Sequence, residues 1–163
     1  MKPEIVDMFG NEYLLGLPKV AFLCSRRIPA GAVLKCYDWA IVQRDAGRCI
    51  ISGFHSRIEK DVLHYLLKGT QPIIVALARG LKTRIEPELK DALSGDRLLM
   101  ITPFGGEVKW VTAETAKTRN AMMLDLADEI VIGYASKGGM LEQHLRDNKE
   151  KPVVRLMERM TNI

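Results

Sequence analysis

Five short stretches of the 163-residue sequence carry side chains suited to holding an anion. Ser25-Arg26 places a hydroxyl beside a guanidinium, which offers phosphate a hydroxyl and backbone N–H together with a bidentate charged partner. Ser52-Gly53-Phe54-His55 sets a glycine, which allows close approach to the backbone, ahead of an aromatic ring and a histidine able to meet the ligand. Arg79 stands near Lys82 and Arg84, Arg119-Asn120 lies inside a helical pattern, and Lys137-Gly138-Gly139 precedes a helix, where paired glycines can form a nest of N–H groups. Each stretch also has an ordinary use: a polar turn, a solvated arginine, a buried amide bonded to a neighbouring loop, a glycine turn.

Other chemistry is missing from the pattern. There is no Ser-His-Asp order, H-E-x-x-H helix or Walker lysine, and the loop at Ser25 is not a G-x-G-x-x-G fingerprint, so neither a nicotinamide nor any other cofactor is expected. Cys24, Cys36 and Cys49 are an odd count without C-x-x-C spacing, as in reduced cytosolic thiols, and no metal is implied. Ser56 followed by Glu59 is a capping box, a sufficient local reason for both residues. His64 and His144 fall on helices as bystanders.

The elements that must position these residues follow from apolar runs of four to six residues alternating with helical spacing. Strands are predicted at 20–24, 49–52, 73–78, 98–101, 130–134 and 153–157, with helices after the first two and near 86–93, 113–127 and 139–146. Such runs, apolar on both sides, indicate an α/β, Rossmann-like domain: a mainly parallel sheet of about six strands with right-handed crossovers and helices on both faces. Residues 1–18 read as an ordered extension and 19–163 as the domain. In such sheets ligands bind beyond the carboxyl ends of the strands. The loops leaving the strands carry Arg26, Arg27, Arg57, Arg79, Lys82, Arg84, Lys109 and Lys137, whereas the opposite edge is richer in Asp and Glu.

Composition sets the outer bounds. With 47% apolar residues, a chain of this length buries a core without disulfides, which excludes collagen-like, mucin-like and disordered classes. Twenty-four Lys and Arg against 20 Asp and Glu leave a net charge of +4, which favours anionic partners. Glu4 and Asp7 interrupt any signal-peptide pattern and no apolar run reaches a membrane span, so a cytoplasmic protein without membrane association is expected.

The same fragments, in this order, resemble the stand-alone Rossmann-like domain of the DNA-processing protein A (DprA/Smf) family. The resemblance runs from about Lys19 to Arg146 through Ser25-Arg26, Ser52-Gly53-Phe54-His55-Ser56, Ala78-Arg79-Gly80-Leu81, Thr102-Pro103-Phe104, Arg119-Asn120 and Lys137-Gly138-Gly139. It implies single-stranded DNA bound at the strand exits by a Ser-Arg turn, a Ser-Gly turn and an Arg-Asn helix, with binding rather than catalysis. The family's Gly-Ser-Arg reads Cys24-Ser25-Arg26 here, and its Gly-Ile-Asp reads Arg57-Ile58-Glu59. More remotely the chain resembles the LOG, or lysine-decarboxylase-like, phosphoribohydrolases, whose glycine-rich signature is echoed by Lys137-Gly138-Gly139-Met140-Leu141-Glu142. That resemblance implies cleavage of a nucleoside monophosphate with Arg119 and Glu142 as the catalytic pair. A homo-oligomer is compatible with either reading, and a third reading is a scaffold that associates through a helix face and whose pocket is vestigial.

Overall fold

The computed structural model describes residues 2–157; Met1 and residues 158–163 of the expected extension and domain lie outside the described residues. Six strands fall on the predicted apolar runs: β2 (Lys19–Leu23), β3 (Cys49–Ser52), β4 (Ile73–Ala76), β5 (Leu98–Thr102), β6 (Glu129–Ile132) and β7 (Val153–Arg155). A seventh, β1 (Asp7–Gly10), comes from the segment read as an extension. The sheet order is β1-β5-β4-β3-β2-β6-β7, parallel throughout except for β1, which runs antiparallel to β5 with Asp7 opposite Thr102 and Gly10 opposite Leu99.

β1 is invisible to an apolar-run reading because three of its four residues are exposed, and its pairing is a matter of backbone fit. Gly10 holds φ at 120°, and a Cβ there would stand 2.3 Å from the Leu98 carbonyl oxygen, so only glycine lets the two backbones approach.

β2 to β5 are buried along their whole length, and their alternate residues sort onto the two faces of the sheet. Phe22, Ile50, Ile73 and Leu98 pack on the face covered by α1 (Ala30–Ala46), α2 (Arg57–Leu67) and α3 (Lys90–Ser94). Leu23, Ile51, Ile74 and Leu99 pack on the other face, against Met122 and Met123 of α4 (Ala113–Leu126) and Leu145 of α5 (Met140–Asp147). Each such side chain contributes roughly 1.5–3 kcal/mol on full burial, so the two faces fix the register between them. The helix predicted near 86–93 divides into a 3-10 turn, Pro87–Leu89, and α3, which ends at Gly95. β7 differs from the expectation of a covered strand: it lies at the sheet edge, with Val153 and Val154 exposed.

His144 on α5 is buried, and its Nε2 has no hydrogen-bond partner among the described residues. Burial lowers its pKa below the usual 6.5; Asp147 opposes the shift, and Lys117 and Arg119 add to it. The folded protein therefore binds this proton less readily than the unfolded chain. The resulting stability is present above pH 6.5 and is lost as the pH falls below it. Urea unfolding at about pH 7.5 and about pH 5.5 is expected to show that loss in the native protein and a smaller one in His144→Gln.

Candidate nucleic-acid interface

The chain runs from β2 to β5 in one direction across the sheet and then returns to place β6 on the other side of β2, so the topological switch lies between β2 and β6. The loops leaving these two strands are tied together. Ser25 donates its backbone N–H to the Tyr134 carbonyl at 2.9 Å, and its Oγ accepts the Ser136 N–H at 2.9 Å. The Ser25 N–H is therefore not available to phosphate as expected, while Arg26 beside it is exposed. Beneath the junction lie the buried Cys24 and Cys36 thiols, and the neighbouring Cys36 thiol together with burial pushes Cys24 above the usual thiol value.

The loop after β3 turns sharply. Ser52 Oγ accepts the Phe54 N–H at 3.1 Å, and Phe54 adopts a φ of 46°. Phe54 is buried in the core, while His55 is exposed. Ser56 and Glu59 form the expected capping box at the start of α2. Glu59 does more than cap: Oε1 accepts from His55 at 2.9 Å and Ser56 at 3.2 Å, and Oε2 accepts the Cys24 N–H at 3.0 Å, which joins the loops after β2 and β3.

Arg119, only 5% exposed, projects from α4 onto Gly53. Its Nη1 donates to the Ala76 carbonyl at 3.1 Å and its Nε to Asn120 Oδ1 at 2.7 Å. A Cβ on Gly53 would lie 2.2 Å from Nη1, so the glycine is required by the guanidinium seated on it. Burial lowers the Arg119 pKa, with Glu59 opposing the shift. Asn120 is buried as a structural amide, its Nδ2 donating to the Met140 sulfur at 3.6 Å.

Gly53, His55 and Arg119 form the inner end of a cleft of about 930 Å³ that opens across the exits of β3, β4 and β5. Arg79, Lys82, Arg84 and Lys109 stand along it, and Lys60 and His64 come from α2. His64 is exposed on α2 at the border of the cleft. His55 lies in the field of several cations: burial lowers its pKa most, and Arg119, Lys60 and Arg26 lower it further against Glu59. Thr102 Oγ1 binds the Arg79 carbonyl, and Gly80 lies too close to Gly105 for any Cβ, so the loops after β4 and β5 are held as one wall.

Of the twelve residues expected to bind, the cleft lining includes Gly53, Phe54, His55, Arg79 and Arg119. Ser25 and Arg26 sit at the neighbouring β2–β6 junction, and Ser52 and Asn120 are buried supports. Lys137 is exposed, but the glycine nest behind it is not open: Gly138 donates to Glu142 Oε2 at 3.1 Å and Gly139 to the Ser136 carbonyl at 3.1 Å. Glu142 is not among the residues lining the cleft that Arg119 lines. Trp110, 80% exposed at the cleft, was not legible as a site residue, because a single tryptophan outside any motif carries no signal until the fold sets it beside the cations. Among the described residues no cluster of His, Cys, Asp or Glu is placed to hold a metal, and no helix is long and apolar enough to cross a membrane.

Fold and charge together define a Rossmann-like α/β domain with a cationic cleft at its strand exits. Its fold is that of DNA processing protein A. The protein of that name from Streptococcus pneumoniae superposes with a TM-score of 0.71 at 19% identity, over 91% of this chain and 53% of that one. The Helicobacter pylori protein, whose structure concerns its single-stranded DNA binding mode, gives 0.75 at 20% identity over 94% and 72%. The molybdenum cofactor binding protein of Rippkaea orientalis gives 0.60 at 12% identity over 85% and 76%. These likenesses are ones of fold, and the chain spans about half the length of the pneumococcal protein. No family model matches the sequence, and no curated protein matches it.

Proposed function

We propose that the chain is a cytoplasmic single-stranded-DNA-binding domain that holds its ligand at the carboxyl ends of its strands without transforming it. The observation that carries this reading is the gathering of Arg26, Arg79, Arg84 and Lys109 on loops leaving the parallel strands β2, β4 and β5, with Lys82 paired to Glu86 beside them, on a fold shared with a DNA processing protein A whose structure concerns single-stranded DNA binding. Cations on such loops neutralise successive phosphates and release counterions, which gives affinity without sequence preference.

Arg26→Ala tests the proposal by fluorescence anisotropy of a labelled oligothymidylate across a salt series. The variant is expected to bind all sequences more weakly and to flatten the slope of log K against log salt by about 0.7, the value for one phosphate contact on a single strand. An unchanged affinity and slope in a folded variant would remove Arg26 from the interface.

The second reading, a LOG-like phosphoribohydrolase or nucleotide sensor, draws support from the enclosed volume of the cleft and the likeness to a molybdenum cofactor binding protein. It requires Arg119 and Glu142 to act on one ligand, whereas Glu142 is engaged with Gly138. Release of free base from a panel of nucleoside monophosphates would put this reading first.

A further inference from the structure

Two tryptophans occur in the sequence, and the fold treats them oppositely. Trp39 stacks on Phe22 in the core, with ring centroids 4.9 Å apart. Trp110 is 80% exposed on the segment between β5 and α4, with Lys109 before it and the half-exposed Val111 after it. A lone exposed aromatic is ordinary on a protein surface. This one stands on the cleft, whose floor is apolar, built from Leu63, Val75 and Met100, and whose rim carries Arg79, Arg84 and Lys109.

The occupant that fits this combination has a flat π-face, an apolar body and negative charge carried alongside it. A nucleobase on its phosphate backbone has all three. The volume of about 930 Å³ lies within the roughly 300–1,000 Å³ of sites that enclose a small molecule, so the cleft accommodates a base with its sugar rather than only a passing backbone. The end of the cleft at Gly53 and the buried Arg119 is joined to the loop where Arg26 stands by Glu59, which accepts the N–H groups of both His55 and Cys24. A strand crossing the exit edge can therefore turn one base into the cleft while its phosphates remain on the cations.

We infer that the cleft is a nucleobase pocket of the DNA interface, with Trp110 as its stacking face. This rests on the single-stranded-DNA reading and adds to it a contact made with the base, where the loop cations contact phosphate. The two are separated by an oligothymidylate and an abasic deoxyribose-phosphate strand of the same length.

Trp110→Ala is expected to weaken oligothymidylate binding by about 5- to 150-fold, the equivalent of roughly 1–3 kcal/mol for one stacked base, and to leave the abasic strand's affinity unchanged. Trp110→Phe should recover most of the loss. In Trp39→Phe, where Trp110 is the remaining tryptophan, oligothymidylate should quench the emission and the abasic strand should not. Because Trp110 is solvent-exposed, its replacement is expected to leave the melting temperature near that of the native protein, which a thermal melt checks. Equal affinity of native protein and Trp110→Ala for oligothymidylate, or equal weakening for both strands, would overturn the base pocket while leaving the DNA reading in place. Failure of the native protein to bind either strand would overturn the DNA reading and this inference with it.

Discussion

Glu59→Ala is expected to destabilise the protein by about 3–5 kcal/mol, the range for breaking a buried charged network from one side. The carboxylate is buried and accepts three backbone N–H groups, from His55, Ser56 and Cys24. Alanine leaves those donors without their partner, at about 1–3 kcal/mol for each one that water cannot reach. It also withdraws the negative charge that offsets the cost of burying the Arg119 guanidinium. Glu59→Gln separates the two halves of the role. Its carbonyl still closes the capping box through His55 and Ser56, but its amide group presents a donor to the Cys24 N–H. A loss of about 1–3 kcal/mol is expected, smaller than for alanine and read as a lower urea midpoint at unchanged m-value. A glutamine variant that melts normally yet loses its ligand would move Glu59 from the scaffold into the binding site.

The second large effect is a paradoxical pair at Gly53. Gly53→Ala places a methyl group 2.2 Å from Nη1 and 2.4 Å from Cζ of Arg119, so the guanidinium must leave its seat. Overpacking of this kind costs about 1–3 kcal/mol, to which the lost bond to the Ala76 carbonyl adds. Arg119→Ala is also destabilising, since it opens a cavity and leaves the Ala76 carbonyl and Asn120 Oδ1 short of a donor. The double variant has no guanidinium to clash with. It is expected to be about as stable as Arg119→Ala alone, which gives a coupling energy near the full cost of the glycine replacement. Simple additivity in the double-mutant cycle would show that the glycine is there for some other reason.

The sheet was readable because β2 to β5 are buried on both faces, so all their residues are apolar except Lys19, Ser52 and Thr102 at strand ends. β1 escaped the same reading because an edge strand held by backbone pairing leaves Phe9 and Val6 largely in solvent. At the site, local chemistry was legible and distant chemistry was not. Ser56 and Glu59 announce a capping box by their spacing, but the second oxygen of Glu59 reaches a residue 35 positions earlier. Gly53 reads as room for a ligand, whereas the group that occupies the room is Arg119 from α4. The glycines at 138 and 139 read as an anion nest; Glu142, in the first turn of α5, supplies the anion internally.

The antiparallel pairing of β1 with β5 also bears on the order in which the chain is made. Asp7 meets Thr102 and Gly10 meets Leu99, so β1 leaves the ribosome well before the strand that receives it. At about 5–20 residues per second, some 90 residues of synthesis separate the two partners by roughly 5 to 20 s. β2 waits longer still for β6, since Lys19 binds Asp128 across 109 residues. The sheet therefore cannot close as it emerges. During translation β2, β3 and β4 can assemble into a partial sheet whose apolar edges lie bare until β5 and β6 have cleared the exit tunnel.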